Sequence, residues 1–358
     1  YIDLYYTLEG SQNVTTPVKI IATSSDPKVL DSSSPSCEVT TANPTCTIIE
    51  SGISSGNAII MSDAGGNYTI ADSNTVIVKN RPFEYMVVGG NGIALTSTDS
   101  GITWESKVTG TSYNLLSVAY GNGTYVAGGI FGTLIRSINN GLSWTSSSIP
   151  NGQFFVSGLA YHNQFVGVRG SGYIMTSLNG SSWTSQTSNV SDTLRSVVFD
   201  DNQFIAVGDL GTIVSSTDGV IWVVESSGVA DNLSSVTYGN NEFVAVGLSG
   251  AILTSPDGVT WTAQTSGVAN NLSGITYGNN EFIAVGSSGT VLTSPDGVTW
   301  TAQISGVANN LSGIVYSNNE FVIVGSGGKI LTSPDGITWT SRVSNTTENL
   351  SAITTNQN

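Results

Sequence analysis

The sequence predicts an all-β protein: a seven-bladed β-propeller with four-stranded blades, preceded by a small immunoglobulin-like β-sandwich. Three observations predict it. The seven tryptophans, Trp104, Trp144, Trp183, Trp222, Trp261, Trp300 and Trp339, recur at one period, 40 residues once and 39 residues five times. Each closes the same short box, Ser97-Thr98-Asp99-Ser100-Gly101-Ile102-Thr103-Trp104 in its long form and Ser255-Pro256-Asp257-Gly258-Val259-Thr260-Trp261 in its short one. Between boxes, β-branched and aromatic runs alternate with Gly- and Asn-rich turns, and no apolar stripe of helical period persists. Four short strands in roughly 40 residues make one propeller blade, so seven boxes mean seven blades over residues 83–358.

Residues 1–82 hold no Trp and none of the repeat. Ile2, Leu4, Tyr6 and Leu8 alternate with Asp3, Tyr5 and Thr7, the pattern of a half-buried strand. Further strands are expected at residues 18–22, 38–41, 46–49, 58–62, 68–71 and 75–79, a set that suits a small sandwich. Asn43-Pro44 reads as a turn that folds Cys37 and Cys46 onto each other across a hairpin. A structural disulfide in an exported protein fits this pair better than a redox or metal role, because there is neither a Cys-x-x-Cys spacing nor a nearby His.

In the propeller, one repeat stands for the rest. Residues 272–277 form a first strand, Gly278-Asn279-Asn280 a hairpin turn, and residues 281–286 a second strand. Ser287-Ser288-Gly289 is the next turn, residues 290–294 the third strand, the box the third turn, and residues 298–303 the fourth strand. The first box lacks a first strand of its own. The C-terminus carries a surplus one, Asn349-Leu350-Ser351-Ala352-Ile353-Thr354, which matches Asn271-Leu272-Ser273-Gly274-Ile275-Thr276. This terminal strand, 349–354, is expected to close the first blade and remove two sheet edges; residues 75–78 compete for the slot.

The Ser-x-Asp-x-Gly-x-Thr-Trp pattern resembles the Asp-box, or BNR, repeat of sialidases and many secreted propellers. A seven-bladed set also looks like the photosystem II assembly-factor family and its bacterial relatives. The N-terminal segment is similar to the Ig-like spacer modules of bacterial surface proteins, although no Cys-Trp-Cys core spacing is present. The resemblance implies a box in the turn between third and fourth strands, its acid accepting from turn amides and its Trp packing between blades. The acceptor positions are Asp99, Asn139, Asn179, Asp218, Asp257, Asp296 and Asp335. The two Asn and the single acid per box argue against calcium ligation, and no metal or cofactor is expected.

Ten Lys plus Arg stand against 25 Asp plus Glu, a net charge of −15. So little clustered positive charge excludes a nucleic-acid binder, and no apolar run is long enough for a membrane span. Few lysines and abundant Ser, Thr, Asn and Gly fit a secreted or cell-surface protein. Hydrolysis of the sialidase type needs three Arg around a carboxylate and a Tyr–Glu nucleophile pair; the chain has five Arg in all, Arg81, Arg136, Arg169, Arg195 and Arg342, and lacks the Arg-Ile-Pro start motif. A glycosidase with paired carboxylates would need two facing acids, yet most acids here sit at repeat positions. His162, in a turn without a partner, reads as inert. The chain is therefore expected not to be an enzyme.

Binding is the better expectation. Loops after the second and fourth strands share one face of the ring, opposite the boxes. There the late blades carry mostly small residues, while the early blades show Lys107, Tyr113, Phe131, Phe154, Phe155, Arg169, Tyr173, Arg195, Asp209 and Leu210. Aromatic and Arg side chains are those that carry interface energy. Two functions follow as expectations: recognition or adhesion toward a protein or glycan through this face, or a structural subunit of a fibre or surface layer that self-assembles through the N-terminal module.

Overall fold

The computed structural model describes residues 85–149 and 155–356 with their side chains, and the backbone of six strands before them. The chain divides into two compact units, Tyr1–Pro82 and Phe83–Asn358. In the first, Ile2–Thr7 pairs antiparallel with Thr45–Glu50. A second sheet runs Ser36–Val39, Val18–Thr23, Asn57–Asp63, Thr75–Ile77 in spatial order. The strands carrying the two cysteines thus lie in different sheets and do not form the expected hairpin. Each completes the ladder of an earlier strand, which satisfies more backbone than a short hairpin would. The expected Cys37–Cys46 disulfide, the strand at 68–71 and the immunoglobulin-like packing of this unit lie outside the described residues.

The second unit consists of seven four-stranded antiparallel sheets. Blade 6 shows why the repeat folds this way. Its innermost strand, Leu272–Gly278, turns through Asn279 and Asn280, both left-handed (φ 50° and 61°), the conformation a two-residue hairpin demands and Asn tolerates. The second strand, Glu281–Gly286, is buried on both faces: Phe282 and Ala284 pack toward blade 5, Ile283 and Val285 toward blade 7. That explains a continuous apolar run where a one-sided strand would alternate. The third and outermost strands are Thr290–Ser294 and Thr301–Ile304. Every core cluster of the ring joins two successive sheets, so the blades cohere by face-to-face burial, about 1.5–3 kcal/mol for each fully covered aliphatic or Phe side chain.

Blade 1 takes its innermost strand from the other end of the chain. Leu350–Thr355 pairs with Tyr85–Gly89, followed outward by Ala94–Ser97 and Glu105–Lys107. The competing segment, Thr75–Ile77, belongs to the sheet of the first unit. Across the closing seam, the Tyr85 hydroxyl donates to the Ser317 carbonyl (2.9 Å), and Asn318 Nδ2 donates to Ser100 Oγ (2.7 Å). Blades 2 to 5 begin at Leu115–Gly121, Val156–His162, Leu194–Asp200 and Leu233–Gly239, and blade 7 at Leu311–Ser317.

Candidate interaction face

The ring has two chemically different ends. At one lie the boxes, whose geometry is architectural. In the fifth, Asp257 Oδ1 accepts from the amides of Val259 (2.9 Å) and Thr260 (2.7 Å), and from Ser255 Oγ (3.1 Å). Ser255 Oγ in turn accepts from the Gly258 amide (2.9 Å), and Trp261 Nε1 donates to the Gly258 carbonyl (3.0 Å). The amide of Thr260, then that of Val259, holds the Asp257 carboxyl below the usual carboxylate range. Asp218, Asp296 and Asp335 are placed and shifted alike. Asn139 and Asn179 keep the acceptor: their Oδ1 atoms take the amides of Ser143 and Ser181. The long boxes fit their extra residue by placing Ser100 and Asn140 in the left-handed region. Each Trp lies between sheets; Trp222 is covered by Val166 and Val168 of blade 3 and by Phe204 of its own blade.

The opposite end is formed by the tight turns after each second strand and by the loops that enter each innermost strand. The middle turn residue is left-handed in every blade: Asn91, Phe131, Ser171, Leu210, Ser249, Ser288 and Gly327. In five blades its amide donates to the side chain of an Asn from the next blade, namely Asn114, Asn232, Asn271, Asn310 and Asn349 at 2.9–3.0 Å. These Asn latches were not anticipated, although the recurrent Asn before each innermost strand was their signal. The next-blade latch positions facing blades 2 and 3 hold Phe155 and Thr193 instead.

Blade 3 departs further. In the other six blades the last residue of the second strand is Gly, and a Cβ there would fall 2.0–2.3 Å from the carbonyl oxygen just before the innermost strand. Blade 3 places Arg169 at this point. Its turn is stretched accordingly: Gly170 N to Phe155 O is 3.4 Å and Tyr173 N to Gly170 O is 3.5 Å, against 2.7–3.0 Å at the corresponding bonds of the other blades that form them.

The predicted binding residues separate into groups. Tyr113 and Phe131 are exposed, 50% and 69%, with ring centroids 5.4 Å apart in an edge-to-face pair. Leu210, 64% exposed, occupies the same turn position in blade 4 as Phe131 in blade 2. Arg195 and Asp209 form an ion pair through Nε. Phe155 is half-buried with its ring over Gly170, and Tyr173 is half-buried.

Two predictions need correction. Arg169 is not exposed: it is 1% accessible, with its guanidinium 6.0 Å from the Tyr173 ring centroid, because its strand is covered on both faces. Lys107 lies on the outermost strand of blade 1, its side chain 12% accessible and paired with Glu105 at 2.8 Å, at the position that Gln264 and Gln303 occupy in later blades. Phe154 lies outside the described residues.

The seven innermost strands line an axial cavity of about 260 Å³. Ser157, Arg195, Ser234, Ser273, Ser312 and Ser351 recur at one register around it, and Leu116 holds that register in blade 2. Arg195 is the charged member of this ring.

Elsewhere, Arg136 donates to the Asn179 carbonyl (3.3 Å) and Arg342 to Thr332 Oγ1 (2.9 Å), so Arg136, Arg169, Arg195 and Arg342 stand on four different blades. His162 stacks on Phe199 of blade 4, centroids 3.5 Å apart and 9° from parallel. Two further apolar features were missed. His162 fills a position that is Gly in several blades, and Val220, Ile221, Val223 and Val224 leave an exposed apolar outer edge on blade 4.

No protein-family model matches the chain, and no curated protein sequence does. Solved structures similar in fold include the following two. Both are YCF48. One, YCF48 bound to D1 peptide, has 15% identity and a TM-score of 0.55 over 74% of this chain and 85% of that one. The other, YCF48 from Cyanidioschyzon merolae, has 18% identity and a TM-score of 0.57 over 69% of this chain and 90% of that one. At these identities the likeness is one of fold, a seven-bladed propeller of four-stranded blades. No helix among the described residues is long and apolar enough to cross a membrane.

Proposed function

We propose that the ring is a non-enzymatic recognition module that binds a polypeptide through the turn face of blades 2 to 4, in a secreted or cell-surface protein. The observation that carries this reading is the exposed Tyr113–Phe131 pair. Phe131 is a bulky residue held left-handed (φ 54°) at a turn tip, where Ser, Asn or Gly would cost less. Leu210 repeats that cost in blade 4, at φ 53°. Apolar side chains kept exposed on unfavourable backbone are better accounted for by contact with a partner than by stability. The Arg195–Asp209 pair beside them supplies directional polar contacts. YCF48, of the same fold, is described with a bound D1 peptide, which supports a polypeptide ligand as the class. Within this reading the boxes are Asp-box turns, and the first unit is an Ig-like spacer.

The test is selection of a displayed random peptide library on the full chain. Peptides recovered on the wild type should lose at least tenfold in affinity to Tyr113→Ala/Phe131→Ala and keep it with Asp201→Asn on the box face. Equal binding to both variants overturns the assignment, and binding confined to a glycan array replaces the polypeptide by a carbohydrate.

A structural role has one observation in its favour. The outermost strand of blade 4, Val223–Glu225, exposes Val223 and Val224 beside the exposed Val220 and Ile221 of its box turn, an apolar patch at a strand edge. A concentration-dependent dimer in light scattering, abolished by Val224→Lys, would support it.

A further inference from the structure

At two blade interfaces a glutamine spans from one sheet to the next box. Gln164 Nε2 donates to the main-chain carbonyl of Asp218 (2.7 Å), and Gln203 Nε2 to that of Asp257 (2.9 Å). These bonds join blade 3 to blade 4 and blade 4 to blade 5. The residue at the same register in the next two blades is not Gln but Glu: Glu242 and Glu281 begin their second strands as Gln164 and Gln203 begin theirs. The side chains are superposable in effect. A Cβ built on Gly258 would lie 2.9 Å from Gln203 Nε2, and one built on Gly297 would lie 3.2 Å from Glu242 Oε2; for Gly336 and Glu281 Oε2 the figure is 3.4 Å. An oxygen therefore sits where the glutamine donor sits, beside a turn whose carbonyl can only accept.

We propose that Glu242 and Glu281 are proton-operated staples, each donating its carboxyl O–H to the main-chain carbonyl of Asp296 or Asp335 in the next blade when protonated, and releasing that contact when ionised. Protonated Glu is the nearest isostere of Gln, so the acid form reproduces the bond that blades 3 and 4 make at every pH. The ionised form offers no donor and brings its charge to a box that already carries one. Interfaces 3–4 and 4–5 are thus fastened permanently, whereas 5–6 and 6–7 fasten in acid.

The surroundings suit this role. Burial is the main influence that raises the Glu242 carboxyl; the Thr254 hydroxyl opposes it, and the Asp296 carboxylate adds to it. Glu281 has the same set: burial, Thr293, Asp335. Among the described residues these aspartates are the charged groups acting on the two glutamates. Thr254 Oγ1 accepts from Gln264 Nε2 and Thr293 Oγ1 from Gln303 Nε2, both at 3.0 Å, which leaves each hydroxyl proton for the glutamate. Asp296 and Asp335 are themselves held low by turn amides, so they stay ionised while the glutamates take up protons.

The experiment compares thermal unfolding of the full chain at pH 7 and pH 5. The wild type should melt higher at pH 5. Glu242→Gln/Glu281→Gln should raise the pH 7 midpoint by roughly 2–4 °C per staple and remove most of the difference between the two pH values. Asp201→Asn/Asp231→Asn, which deletes the same charge from exposed positions, should leave that difference in place. Conversely, Gln203→Glu should lower the midpoint at pH 7 and recover it at pH 5. A double Gln variant that keeps the wild-type pH response, or melts lower at pH 7, overturns the proposal. So does a Gln203→Glu variant that shows no added pH dependence.

Discussion

A single side-chain oxygen in each box satisfies donors that a tight turn leaves over, and this fixes what substitutions there should do. Asp257→Ala would hand the exposed Val259 and Thr260 amides and the Ser255 hydroxyl to water, and should cost about 0.5–1.5 kcal/mol in urea unfolding at neutral pH. Asp257→Asn keeps the acceptor, as Asn139 and Asn179 do, and should cost clearly less. The sign with pH follows from the shift. The folded carboxyl titrates below its ordinary value of 3.8, so its contribution is complete above that value and is lost as pH falls through the lowered one. Trp222→Ala should cost more, about 3–5 kcal/mol, since a fully covered indole between two sheets leaves a cavity. These roles were legible because the residues recur with fixed spacing. The burial of Arg169 was not. It replaces a Gly whose constraint is a carbonyl across the sheet, and nothing in its own neighbours along the chain announces that clash.

For whole strands, legibility depended on what sets the pairing. Blade strands follow short hairpins with left-handed Asn or Gly turns, so sequence neighbours become spatial neighbours. The cysteine-bearing strands are paired by longer-range choices, and the Asn43-Pro44 signal between them in sequence did not decide their partners. The C-terminal strand is a long-range pairing that was nonetheless readable, because Asn349-Leu350-Ser351 repeats Asn271-Leu272-Ser273 and brings the same latch. Its removal has definite consequences. Truncation after residue 348 would uncover the edge of Tyr85–Gly89, where Tyr85, Met86, Val87 and Val88 are all buried. The truncated chain should melt well below the intact one and self-associate in size-exclusion chromatography. Leu350→Ala alone should cost about 2–5 kcal/mol, as for other fully buried leucines. An unchanged midpoint for the truncated chain would mean that the ring closes without this strand.

Across the whole molecule, opposed carboxyl populations set how stability depends on pH. The short-box aspartates titrate below 3.8, so acid removes their contribution only when pH falls below that value. Glu242 and Glu281 titrate above 4.5, so the folded ring binds their protons more tightly than the unfolded chain does, and it gains stability as pH falls toward 4.5. The net charge of −15 acts in the same direction, since self-repulsion eases as carboxylates are neutralised. The midpoint should therefore rise from pH 8 to a maximum on the order of pH 4–5 and fall steeply below it, whereas a protein whose carboxyls are all lowered takes up no stabilising proton in that range. Salt separates the two causes. Raising ionic strength to about 0.5 M screens surface repulsion over a few ångströms, and should lift the pH 7 midpoint while leaving a residual acid gain. That residual belongs to the half-buried glutamates at interfaces 5–6 and 6–7. A profile that is flat from pH 8 to 5 in high salt would assign the whole effect to surface charge.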